Sequence, residues 1–223
     1  MSELAPSRRE RAYLDIRGRI VAGEYPPGAP LSESALTRVV RASRTPIREA
    51  LCRLLEEGYV ERVPGRGFHV SCITVRLVQD TFEVRRLLEG TAAARAAEVA
   101  ARETVSRLRH LAPVPFVAGD ALAAKRAEKA NAEFHVAVAE ASGNALLVDL
   151  VERCLGQVAR FMAHGAKLPN LNARASQEHN EIVDAVERRD SAAARDAMER
   201  HLDDCSRQFM HTLVRGGLRD VAV

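Results

Sequence analysis

Apolar residues recur along this chain with two different periods, and the switch between them divides it. From Arg8 to Ala22 a basic segment carries Leu14, Ile16, Ile20 and Val21 at helical spacing. GEYPPGAPLS then reads as a turn-rich connector, after which Ser32 is placed to cap a short helix running to about Val40. Only Arg41 and Ala42 separate that helix from another beginning at Ser43. In this third helix Ile47, Leu51, Leu54 and Leu55 fall at i, i+4, i+7 and i+8 and face inward, with Thr45, Cys52 and Glu56 opposite and Arg48 on the flank. Ser43 and Thr45 can both cap its start, Pro46 suits a first turn with no intrahelical acceptor, and Gly58 stands where a left-handed residue ends it. The period then shortens to two. Tyr59 to Val63 and Phe68 to Ser71 are β-prone runs joined by Pro64-Gly65-Arg66-Gly67, a short hairpin that must lean on the helix to be stable.

Beyond Ile73 the strand signals vanish and alanine-rich helical periodicity returns. It predicts helices near 76 to 101, 103 to 111, 120 to 142, 144 to 165, 172 to 189 and 191 to 215. Breaks fall at Pro113 and Pro115, at Ser142-Gly143-Asn144, from Gly165 to Pro169 and at Asp190-Ser191. Short links between long helices imply an antiparallel bundle. The expected fold is therefore mainly α: a winged helix-turn-helix over 8–72, then an all-helical bundle over 76–215. In a winged helix-turn-helix the last helix enters the major groove of duplex DNA by its N-terminal end.

Charge sharpens this picture. Residues 1 to 75 hold twelve arginines, no lysine and nine acidic residues, a net of +3, whereas the remainder balances 21 basic against 21 acidic residues. The whole excess lies in the predicted reading head, and arginine's planar fork can bind phosphate or a guanine edge with two parallel hydrogen bonds. An aromatic content of 4% without tryptophan argues against a stacking platform for single strands. The four cysteines are scattered with no CxxC pair, which excludes a zinc ribbon and reads as reduced thiols. No apolar run approaches a membrane span and the N-terminus lacks a secretion-signal core, so the expected location is the cytoplasm.

Three of the seven histidines sit on apolar faces of three different predicted helices. His135 lies with Val138 and Ala139, and Asn131 precedes it by one turn; His179 shares a face with Ile182, Val183 and Val186; His201 shares one with Ala194, Met198 and Cys205. Asn131 and His135 could offer a carbonyl oxygen and an imidazole to one point. Three imidazoles and an oxygen suit a divalent metal such as zinc or nickel. Hydrogen-bonded core histidines are the competing reading. A metal-dependent hydrolytic enzyme is a second use of such a cluster, with Glu133 and Glu178 nearby in sequence as bases, although neither shares the face of its neighbouring histidine. A protein-binding rather than DNA-binding head is a third.

SRTPIREAL, with the following LxxEGYVE and GRGFHV, resembles the DNA-binding signature of the GntR family of bacterial transcription regulators. The resemblance implies DNA contacts from Ser43, Arg44, Thr45 and Arg48 and, on the wing, from Gly65 and Arg66. Ser34 stands where many members carry an arginine. NAEFHVAVAEASGNALL, EHNEIVDAVERRD and AMERHL resemble the FCD effector domain of the FadR-type branch, and six helices favour its VanR-like subgroup. That domain often holds a divalent metal with one aspartate and three histidines; the matching positions are Asn131, His135, His179 and His201, with asparagine where aspartate is usual. Arg85, in FEVRRLLEG beside Thr81, Val84 and Leu88, matches a family arginine and could complete an anion pocket for a small organic acid, with a surface or interhelical salt-bridge arginine as the competing reading. The implied protein is a homodimeric regulator, usually a repressor, that reads an inverted repeat in double-stranded DNA and responds to a small carboxylate effector.

Overall fold

Ser7 starts the first helix, α1 (Arg8–Val21), by accepting a hydrogen bond from the Glu10 amide at 3.1 Å. The structure, a computed structural model, describes residues 7–114, 121–163 and 171–216. The breaks expected at Pro115 and from Gly165 to Pro169 lie outside the described residues. The chain falls into two compact units, one built mainly on the residues up to Thr74 and the other beginning at Val75.

In the first unit α1 buries Ala12, Tyr13, Ile16 and Ile20, while Leu14, expected to face inward, is 47% exposed. Tyr13 takes the inward place because its ring packs in the core and its hydroxyl donates to Glu57 at 2.6 Å. Ser32 caps α2 (Glu33–Val40), and Arg41 closes it in a left-handed conformation with φ 56°. α3 (Arg44–Glu56) follows with Ser43 in the N-cap position, although the Ser43 side chain makes no cap hydrogen bond. Ile47, Leu51 and Leu54 are fully buried, but Leu55 is 38% exposed. Eight residues carry a helix about 80° past its starting direction, so Leu55 sits at the edge of the stripe.

The wing is larger than the expected hairpin. β2 (Val60–Val63) and β3 (Gly67–Val70) pair antiparallel, and β1 (Pro30–Leu31) adds to the other side of β3, giving the order β1-β3-β2. β1 comes from the segment read as a turn. Two residues cannot display an alternating pattern, and Pro30, which lacks an amide proton, is tolerated because β1 is an edge strand. Gly65 and Gly67 have φ of 73° and 82°, the left-handed backbone that the hairpin needs.

The second unit is helical among its described residues: α4 (Val75–Val99), α5 (Arg102–Leu111), α6 (Ala121–Ala141), α7 (Ala145–Ala163, whose last turn groups with the first unit), α8 (Leu171–Glu187) and α9 (Ser191–Gly216). Asn144 caps the start of α7 by accepting from the Leu146 and Leu147 amides, and Asp190 caps α9 by accepting from Ala193. α4 packs against α9, α6 and α8, and α9 also lies along α8. Small side chains make this possible: Ala92, Ala93, Ala96 and Ala97 are fully buried on α4, and a Cβ at Gly90 would come within 2.9 Å of the Glu199 side chain on α9. Helices this close bring the inner faces of α4, α6, α8 and α9 to one place.

Candidate nucleic-acid interface and metal centre

At the N-terminal end of α3, Ser43, Arg44, Thr45 and Arg48 are all exposed, as are Gly65 and Arg66 at the tip of the wing. The apolar stripe of Ile47, Leu51 and Leu54 turns the opposite side of α3 into the core. Arg48 meets Glu33 at 3.6 Å with its side chain 67% exposed, so the ion pair is worth little and leaves the guanidinium able to exchange partners. The acidic residues of α1 and α3 are partly occupied: Glu10 and Glu57 both hold Arg53, and Asp15 holds Arg19. Ser34 points no cation outward; its hydroxyl shares a hydrogen bond with Ser32 at 2.9 Å.

In the second unit His135 on α6, His179 on α8 and His201 on α9 converge, each offering a ring nitrogen within 4.8 Å of the others. All three are buried to 1% exposure or less. Every Nδ1 is already committed. That of His135 donates to Glu89 at 2.5 Å, that of His179 to the Ala112 carbonyl at 3.1 Å, and that of His201 to Glu178 at 2.7 Å. A ring nitrogen held this way leaves the other lone pair facing inward, the tautomer a metal ligand needs. Nε2 of His135 and of His201 lie 3.3 Å apart, and Nε2 of His179 is buried with no hydrogen-bond partner. Two imidazole nitrogens bound to one ion at about 2.0–2.1 Å would stand about 2.9–3.4 Å apart. The donor set therefore fits a first-row dication.

Charge around the cluster follows from the same contacts. Burial, then the cations nearby, depresses His135 to about 4 although Glu89 opposes it. Burial with His201 and His135 alongside holds His179 well below its ordinary value. Burial disfavours the charged form of His201 too, yet Cys205 and Glu178 outweigh it and push that imidazole up to about 10.

Arg85 is 2% exposed and sits on the buried face of α4 with Thr81, Phe82 and Glu89, not with Val84, which is 44% exposed. Its Nε donates to Glu89 at 2.6 Å, and one terminal nitrogen is buried without a partner. Arg85 thus reaches the histidine cluster through Glu89. Asn131 lies half-buried one turn before His135 on α6. Glu89 escapes a reading of the sequence because its partners lie four and 46 residues away on two helices; the only signal is its i+4 spacing from Arg85. Glu178 faces His201 rather than a water-activating position, and Glu133 is exposed beside Lys129 at 3.6 Å. Among the described residues no helix is long and apolar enough to cross a membrane.

Residues 80–204 match the FCD domain, and residues 8–70 match the bacterial regulatory proteins of the gntR family. The chain is 32% identical over 202 residues to the HTH-type transcriptional regulator LutR of Bacillus subtilis, covering 81% of this chain and 91% of that protein. It is 27% identical over 210 residues to the HTH-type transcriptional repressor RspR of Escherichia coli, covering 92% and 91%. Among solved structures, E. coli McbR/YncC superposes with a TM-score of 0.73 at 19% identity over 93% of this chain and 99% of that one, a likeness of fold. The relatives are transcriptional regulators, so the enzymatic reading of the histidines falls away. With a gntR-type helix-turn-helix followed by an FCD domain across nearly its whole described length, the chain belongs to the GntR family of DNA-binding transcriptional regulators.

Proposed function

We propose that this regulator is a homodimeric repressor in which residues 8–72 read an inverted repeat and residues 76–215 dimerise and bind a small organic acid together with a divalent metal, zinc or nickel. One head neutralises too few phosphates for useful affinity, whereas two related heads read half-sites about one helical turn apart. Ser43, Arg44, Thr45 and Arg48 would meet base edges and backbone in the major groove, with Gly65 and Arg66 of the wing alongside.

The observation that carries the effector side is the pair of Nε2 atoms of His135 and His201, 3.3 Å apart with both Nδ1 atoms tied to carboxylates. His135, His179 and His201 would hold the ion, with the Asn131 carbonyl as a further oxygen donor. The metal would supply Lewis acidity at which an effector carboxylate binds. The buried, unpartnered nitrogen of Arg85 supports an anion-binding role for that side chain next to the cluster. A ligand that prefers one spacing of the two reading helices then shifts the protein toward or away from its operator.

The test is fluorescence anisotropy of the full-length protein on an inverted-repeat duplex from upstream of its own gene, with a panel of small mono-, di- and tricarboxylates. One acid should weaken binding at least tenfold, and chelator treatment should abolish that response. Binding that is indifferent to sequence and to salt would instead favour a protein-interaction head.

A further inference from the structure

Eight described residues hold a backbone φ in the left-handed region, and six of them are glycine. Glycine suits that region because the Cβ of any other residue crowds the following carbonyl oxygen. The two exceptions are both arginine: Arg189 with φ 61° and Arg41 with φ 56°. At Arg189 the strained backbone is offset inside the protein, since a terminal nitrogen of its side chain donates to the Ala97 carbonyl at 3.2 Å. Nothing comparable holds Arg41. Its side chain is exposed, and among the described residues no hydrogen bond, ion pair or ring contact engages its guanidinium.

The place of Arg41 in the chain points to a partner outside the fold. It closes α2, and only Ala42 and Ser43 separate it from Arg44, the first residue of α3. In a helix-turn-helix the first helix of the pair crosses the DNA backbone and the second enters the groove by its N-terminal end. The turn joining them therefore runs along the phosphates at the edge of that groove. Glu33, the acidic residue of α2, is already faced by Arg48 at 3.6 Å, so α2 has no other carboxylate to offer Arg41.

We infer that Arg41 is a phosphate-binding residue of the reading head, its guanidinium gripping the duplex backbone beside the groove that α3 enters. A strained backbone persists at a functional position when the contact it permits outweighs its cost to the fold. The planar fork of arginine meets a phosphate with two parallel charge-assisted hydrogen bonds. A phosphate rather than a base is the partner because Arg41 precedes α3 instead of lying on its first turn. Such a contact fixes the register of the head on DNA and carries no sequence information. The assignment rests on the reading in which the N-terminal end of α3 meets the duplex.

Arg41→Gly separates the fold from the interface, because it relieves the backbone while removing the cation. Anisotropy of the full-length protein on a mixed-sequence duplex, titrated at several salt concentrations, reads phosphate contacts without needing the operator. Arg41→Gly should bind that duplex roughly tenfold more weakly and lower the slope of log affinity against log salt by about one per head. Its unfolding temperature should equal or exceed that of the wild type. Arg41→Lys, which keeps both the charge and the left-handed backbone, should restore most of the affinity and the slope. Wild-type affinity and slope in Arg41→Gly would overturn the assignment. So would a loss of affinity matched by a fall in unfolding temperature, which would make Arg41 a residue of the fold. Wild-type binding to inverted-repeat DNA by both Arg44→Ala and Arg48→Ala would instead remove α3 from the interface, and the placing of Arg41 with it.

Discussion

Glu89 Oε2 lies 2.5 Å from Nδ1 of His135, and both side chains are 1% exposed. The other Glu89 oxygen accepts from Arg85 at 2.6 Å. Burial by itself would raise the Glu89 carboxyl, but Arg85 and then His135 outweigh it and hold it at about 2. One carboxylate thereby fixes both a ring of the histidine cluster and the arginine proposed to meet the effector.

Removing Glu89 should leave Arg85 as an uncompensated buried charge. Glu89→Leu is expected to cost roughly 3–5 kcal/mol, and the double change Glu89→Leu with Arg85→Met to recover most of it. Urea unfolding at neutral pH measures the cycle. Glu89→Gln, which keeps the shape, should weaken metal binding about 10–100-fold. A Glu89→Leu midpoint equal to wild type would contradict the buried triad.

Metal removal should be visible in stability. At an ion concentration about 100 times the dissociation constant, the bound form gains about 2.7 kcal/mol, and a chelator should take it away. His179 stacks on Phe134 with ring centroids 3.9 Å apart and 14° between planes, so His179→Phe keeps the packing and removes the unsatisfied Nε2, while giving up the Nδ1 hydrogen bond to the Ala112 carbonyl. Calorimetry should find the metal-free variant within about 1 kcal/mol of wild type, with no response to added ion.

Arg44 and Arg48, the two arginines near the start of α3, should matter more than their exposure suggests. Arg44→Ala and Arg48→Ala are each expected to lower operator affinity by about 1–3 kcal/mol and to relax sequence preference, whereas Arg66→Ala should weaken all duplexes alike and reduce the salt slope by about one. Anisotropy titrations at several salt concentrations separate these patterns. Unchanged binding in both α3 variants would remove that helix from the interface.

At the wing tip the constraint is backbone rather than space. Gly65 has φ 73°, and no heavy atom lies within 4 Å of the place a Cβ would take, so the Cβ of Gly65→Val has open space. The left-handed backbone still costs that valine about 1–2 kcal/mol of strain. Operator affinity should fall while metal content stays at the wild-type level. Equal affinity would mean that the wing tip plays no part.

Alkaline pH should loosen the first unit through Tyr13. Burial, with Glu57 accepting its hydroxyl proton, raises its pKa from 10.0 to about 12. The folded state thus favours the protonated phenol. That contribution is fully present below about pH 10, declines between 10 and 12, and is gone above the folded value. Tyr13→Phe should therefore flatten the fall in unfolding midpoint across that window, and an identical fall in both proteins would show that Tyr13 does not contribute.

Much of this architecture is local in origin and can be read from residue order. Ser32, Asn144 and Asp190 act on amides two or three positions away, Gly58 and Gly143 supply positive φ, and stripes such as Ile182, Val183 and Val186 repeat with the helical period. The three histidines are identifiable for the same reason, since each lies on an apolar face of its own helix. Family likeness then joins them.

Linear order could not supply the relationships made across elements. A two-residue strand at Pro30 has no period, and its existence depends on the free edge of β3. The choice of Tyr13 over Leu14 depends on Glu57, 44 residues away. Glu89, Ala112 and Glu178, which set the tautomers of His135, His179 and His201, gain their roles from the distance between helix axes. That distance is a packing result: periodicity fixes which way a side chain faces, but only the docking of alanine-rich α4 onto its neighbours fixes what it meets.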